Sequence, residues 1–81
     1  MSTKEYDFTV FFEPSTEGGY IVTVPALPGL ITEGDTLEEA RDMARDAIRA
    51  YIESLIKDGE QIPEEENTVQ EKIQVAIEAS S

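Results

Sequence analysis

The stretch from Thr36 to about Asp58 constrains this chain more than any other part of it. Thr36 stands before Leu37-Glu38-Glu39, the spacing at which a threonine hydroxyl caps the Glu39 amide while the Glu39 carboxylate reaches back. Glu38 and Glu39 also place negative charge at the positive end of the helix dipole. Leu37, Ala40, Ala44, Ala47 or Ile48, Tyr51 and Leu55 then recur at steps of three and four, which lines them along one face. Lys57 lies in the last turn, and Gly59 offers the left-handed residue that commonly ends a helix. A helix of roughly six turns follows at 3.6 residues per turn. With a single apolar stripe, it needs a second layer to cover it.

The flanking segments supply that layer. Tyr6, Phe8, Val10 and Phe12 alternate with Asp7, Thr9, Phe11 and Glu13, the period of a half-buried strand. Pro14-Ser15-Thr16-Glu17-Gly18-Gly19 is turn chemistry, and Tyr20-Ile21-Val22-Thr23-Val24 reads as the returning strand of a hairpin. Pro25 and Pro28 interrupt hydrogen bonding before a third strand, Leu30 to Glu33, which stops at Gly34-Asp35. After the helix comes an acidic loop, Gly59 to Asn67. Val69, Ile73, Val75 and Ile77 then share a face broken by Glu71, which predicts a fourth strand ending near Glu78, with Ala79-Ser80-Ser81 frayed. The expected fold is α+β, in the order β-β-β-α-β. A small, mostly antiparallel sheet packs on one helix, in a single domain over residues 1–81, and the long crossover allows the fourth strand to lie parallel beside the first.

Eighty-one residues bury too little surface for ample stability as a monomer, so a homo-oligomer, most simply a dimer, is expected. There is no cysteine and no histidine, which removes disulfides, thiolate metal sites and imidazole acid–base chemistry. A polar start without a leader pattern and the lack of any long apolar run point to the cytoplasm and away from a membrane. Eighteen acidic residues against six basic ones give a formal charge of −12. Such a surface repels free nucleic acid, whose phosphates are held mainly by Lys and Arg, and attracts a basic partner.

Several short motifs carry a resemblance. Val24-Pro25-Ala26-Leu27-Pro28-Gly29 followed by Gly34-Asp35-Thr36-Leu37-Glu38-Glu39-Ala40 resembles the core signature of HicB-like antitoxins. Phe12-Glu13-Pro14, Gly18-Gly19-Tyr20 and Asp58-Gly59-Glu60-Gln61-Ile62-Pro63 look like family positions in the same order, and the likeness runs from about Tyr6 to Ile77. The resemblance implies a partial RNase H-like unit. It also implies a role: binding and neutralising a small basic toxin of the HicA type, an mRNA-cleaving protein of type II toxin–antitoxin systems. The helix-turn-helix or ribbon-helix-helix that longer members carry after this unit has no counterpart here, so direct operator binding is not expected. The alternative is a stand-alone homo-oligomeric domain with a structural role or an unidentified ligand.

An RNase H-like fold raises the question of metal-dependent cleavage, with Asp7, Glu13 and Asp35 as candidate ligands. Asp7 and Glu13 lie about 20 Å apart along one strand, too far to share a metal. No enzymatic activity, metal or cofactor is expected. Arg41, Arg45 and Arg49 form an i, i+4 ladder on the helix, readable as a partner contact or as local ion pairs with Glu38, Asp42, Asp46 and Glu53. Phe11 falls on the polar side of the first strand and needs a cover. Phe11, Arg41, Arg45 and Arg49 are therefore the candidate interface residues.

Overall fold

The computed structural model describes residues 4–65 and 68–79; Met1–Thr3, Glu66 and Asn67 of the acidic loop, and Ser80–Ser81 of the tail fall outside the described residues. Three strands precede one helix: β1 (Phe11–Pro14), β2 (Tyr20–Thr23), β3 (Ile31–Gly34) and α1 (Leu37–Lys57). The sheet is antiparallel in the order β1-β2-β3. The α+β arrangement is the expected one. The fourth strand is not formed within the chain. Residues 68–79 form no strand pairing with any other described residue, and Val69, Ile73, Val75 and Ile77 are 69–84% exposed.

Each hairpin strand is shorter than its hydrophobic pattern. β1 begins at Phe11 rather than Tyr6 because its ladder depends on β2, which pairs no further than Thr23. Two residues on, Pro25 has no N–H to donate, and the chain turns away. The turn is a double one: the Leu27 amide donates to the Val24 carbonyl at 3.0 Å and the Leu30 amide to the Leu27 carbonyl at 3.2 Å. Gly29 takes φ 85° in it, a region closed to most side chains. The bend drives Leu27 inward until nothing of it remains exposed, and the Tyr51 hydroxyl of α1 ties it down by donating to the Pro28 carbonyl at 2.9 Å.

Between β3 and α1 the backbones nearly touch. A Cβ on Gly34 would stand 2.5 Å from the Ala40 nitrogen and 2.7 Å from its Cα, so no side chain fits at position 34. Ala40 is itself fully buried. A Cβ on Gly19 would likewise meet the Gly34 carbonyl oxygen at 2.5 Å. The Gly-Gly-Tyr and Gly-Asp-Thr-x-Glu-Glu-Ala motifs thus hold one joint, where hairpin, third strand and helix start converge. At that joint Thr36 Oγ1 accepts the Glu39 amide at 3.1 Å.

The core lies between sheet and helix. Val24, Leu27, Leu30 and Ile52 form one cluster, against which Phe8, Val10, Ile48 and Tyr51 pack. Val22, Ala40 and Ala44 form a second, flanked by Val10, Phe12 and Tyr20. Ile52, one turn beyond Ile48, is more deeply buried than its half-buried neighbours Tyr51 and Leu55, so the helix is rolled slightly from the stripe expected of it. α1 packs chiefly on β3, less on β2, and leaves the β1 side of the sheet open.

Candidate functional site

Register decides which side chains of the sheet meet solvent. Phe12 opposes Val22, which opposes Thr32, and the full burial of Val22 marks that row as the one facing the helix. Successive residues of a strand point to opposite sides. The outer face therefore carries two rows: Phe11, Thr23 and Ile31, then Glu13, Ile21 and Glu33. Ile31 is 68% exposed and Ile21 36%, while Phe11 is half-buried. Isolated exposed apolar residues are ordinary, but three adjoining ones on a face bordered by two carboxylates form a patch of the kind proteins use for contact.

The second surface is a groove of about 960 Å³ between the β1 side of the sheet and the uncovered flank of α1. Phe8, Val10 and Phe12 make one wall, and Ala44, Ile48 and Ile52 the other. Lys4, Arg41, Arg45 and Arg49 all reach it, four of the six basic residues of the chain, with Glu5, Asp7 and Glu53 also on its margin. Arg45 is held by Asp42 at 3.1 Å, and Arg49 stands 3.8 Å from Asp46. Among the described residues no carboxylate pairs with Arg41. The structure thus separates the four candidates: Phe11 looks outward from the sheet, whereas the arginines edge the groove on the helix side.

The described part of the acidic loop, residues 59–65, meets the N-terminal segment. Glu64 accepts from Lys4 at 3.0 Å, and the Lys4 ammonium also lies 5.1 Å from the centre of the Tyr6 ring, which stacks on Phe8. The Glu65 carboxylate accepts from both the Thr9 hydroxyl and, at 2.7 Å, the Thr9 amide. Those two bonds, the hydroxyl foremost, hold the Glu65 carboxyl below its ordinary pKa of 4.5, and Glu64 raises that of Lys4. The loop's role in tying down the N-terminal segment was not legible in its composition. Its one signal was the carboxylate pair Glu64-Glu65 placed after Pro63.

Among the described residues no group of three or more acidic side chains converges as a metal site, so Asp7, Glu13 and Asp35 are not brought together. No described helix is long and apolar enough to cross a membrane.

The α+β unit thus presents a patterned outer face on one side of its sheet and an open groove on the other. Its sequence matches the family model described as HicB-like antitoxin of bacterial toxin–antitoxin systems over residues 8–79, and the chain belongs to that family. It is similar to a UPF0150 protein of Thermoplasma acidophilum, 52% identical over 56 residues, which covers 69% of this chain and 81% of the relative. It is also similar to antitoxin HicB 1 of Photorhabdus laumondii, 38% identical over 78 residues, which is 96% of this chain and 50% of that protein. Antitoxin HicB of Escherichia coli K12 is 36% identical over 56 residues, 69% of this chain and 41% of its own length. The chain thus spans half or less of the antitoxins it matches, but most of the shorter UPF0150 protein.

Proposed function

We propose that this module binds and neutralises a small basic toxin of the HicA type, and that the outer face of the sheet receives it. The observation that carries the reading is the row of Glu13, Ile21 and Glu33 beside Phe11, Thr23 and Ile31, a surface both apolar and acidic on a chain of formal charge −12. Apolar side chains supply the desolvated contact that slows dissociation, and the glutamates favour a partner rich in Lys and Arg over a neutral one. The module acts by covering the toxin's RNA-binding surface and not by chemistry of its own, in the cytoplasm where that RNA is found. The arginines of α1 do not suit a basic toxin, which is why the groove is left out of this interface.

The test is titration of the full chain with the HicA-type toxin encoded beside its gene, comparing wild type with Phe11→Ala and Ile21→Arg. Each variant should weaken binding by roughly tenfold or more while keeping the helical circular dichroism signal. Unchanged affinity in both would move the interface off this face. A paired toxin that fails to bind the wild-type chain at low salt would remove the antitoxin reading. The stand-alone homo-oligomeric domain would then remain, favoured by the exposed apolar side chains of residues 69–77.

A further inference from the structure

The most conspicuous unsatisfied feature of the molecule is a pair: an open strand edge above an apolar groove, and an apolar segment with nothing to cover it. Among the described residues β1 is an edge of the sheet, with β2 as its one partner. The Ser15 amide donates to the Gly19 carbonyl at 2.9 Å, just beyond the Pro14–Tyr20 pair. By the alternation of an antiparallel ladder, Phe12 and Val10 then turn their backbone groups away from β2, toward the vacant side. Pro14, whose missing N–H would also point that way, ends the free stretch, as proline does on edge strands. Beneath this edge lies the groove between Phe8, Val10, Phe12 and the α1 flank.

We propose that the groove receives the segment 68–79 of a second copy of this chain, which pairs along the free edge of β1 in a reciprocal exchange of C-terminal strands. In an extended segment the odd residues Val69, Glu71, Ile73, Val75 and Ile77 fall on one side. Four are apolar, matching the groove walls. The exception is acidic, and the groove is rimmed by Arg41, Arg45 and Arg49, of which Arg41 has no carboxylate partner among the described residues. Glu71, which interrupts the apolar pattern of a strand read by itself, becomes the counter-ion of that rim. A basic occupant is disfavoured by the same arginines.

Geometry favours a second copy over the chain's own segment. The twelve residues from Thr68 to Ala79 reach about 40 Å when extended, and the molecule measures 63 Å along its long axis against 29 and 20 Å across. Its radius of gyration is 16.4 Å, where a compact chain of this length has about 12 Å. The segment thus projects from the body that leaves its own groove unfilled. Two such chains related by a two-fold axis fill both grooves at once and close the assembly.

The experiment uses the full chain without toxin, so its outcome is independent of the proposed function. Sedimentation equilibrium at micromolar concentration should give a dimer, and filtered NOE spectra of a mixture of ¹³C-labelled and unlabelled chains should show Ile73, Val75 and Ile77 methyls close to Phe8 or Phe12 rings of the other chain. Ile73→Glu should raise the dimer dissociation constant by roughly tenfold or more, with helix content unchanged. Glu71→Arg and Arg41→Glu should each weaken the dimer and together restore it. A monomer at all concentrations overturns the proposal, whether its segment is free or folded on its own groove. So does a dimer whose 68–79 methyls show no intermolecular contact, or a charge swap that restores nothing.

Discussion

Gly34 is the residue on which most of the packing converges. Alanine there would drive a methyl group into the Ala40 backbone at 2.5–2.7 Å, and main chain gives way less readily than a flexible side-chain tip. Gly34→Ala should therefore cost about 1–3 kcal/mol, the scale of overpacking in a tight interior, read as a lower urea midpoint at constant slope. Leu27→Ala should cost about 2–5 kcal/mol, because it empties a fully enclosed site that the double turn holds rigid. Tyr51→Phe tests the tie on that turn and should lower stability by about 0.5–1.5 kcal/mol in the same assay. Glu65 makes its own forecast. Its carboxyl is held below the ordinary value of 4.5 by the Thr9 hydroxyl and amide. The contact is thus fully present above that value and is lost as pH falls through the lowered one. Melting curves of wild type and Glu65→Gln should differ near neutrality and converge as the solution is acidified through that range.

Among the elements, α1 is the one whose limits were fully legible in the sequence. Thr36 caps it and Gly59, at φ 69°, follows it, because caps act over three or four residues and need no knowledge of the rest of the fold. Thr36→Ala should cost about 1 kcal/mol in thermal or urea unfolding. The strands were legible as period-two patterns, but their lengths were not. Tyr6 to Val10 carry a strand's alternation, yet the ladder stops where its neighbour reaches Pro25, a limit set by another part of the chain. The segment 69–78 alternates as well, with Glu71 as its one break, and forms no strand with any other described residue, since pattern specifies a buried face without specifying who buries it. Arg41, Arg45 and Arg49 read as a solvated ladder with local ion pairs, and two of those pairs are present. That they also rim an apolar groove depends on where α1 lies across the sheet, which its periodicity does not encode.

At the scale of the whole molecule, charge acts on rates before it acts on affinity. A chain of formal charge −12 should draw a basic toxin into encounter at a rate that falls as salt rises. The field is screened over about 8 Å at physiological ionic strength. Surface plasmon resonance across a salt series should show association slowing while dissociation changes less. An association rate indifferent to salt would leave pairing intact but refute the steering. The sheet also has a property that belongs to neither partner alone. Its outer rows and its groove lie on opposite sides of one layer of backbone, so occupation of one leaves the other accessible. On the two proposals together, self-association and toxin capture would not compete for surface, and stoichiometry would be a direct reading of the architecture. Calorimetric titration should reach equivalence at one toxin per chain, with the same affinity at chain concentrations above and below the dimer dissociation constant.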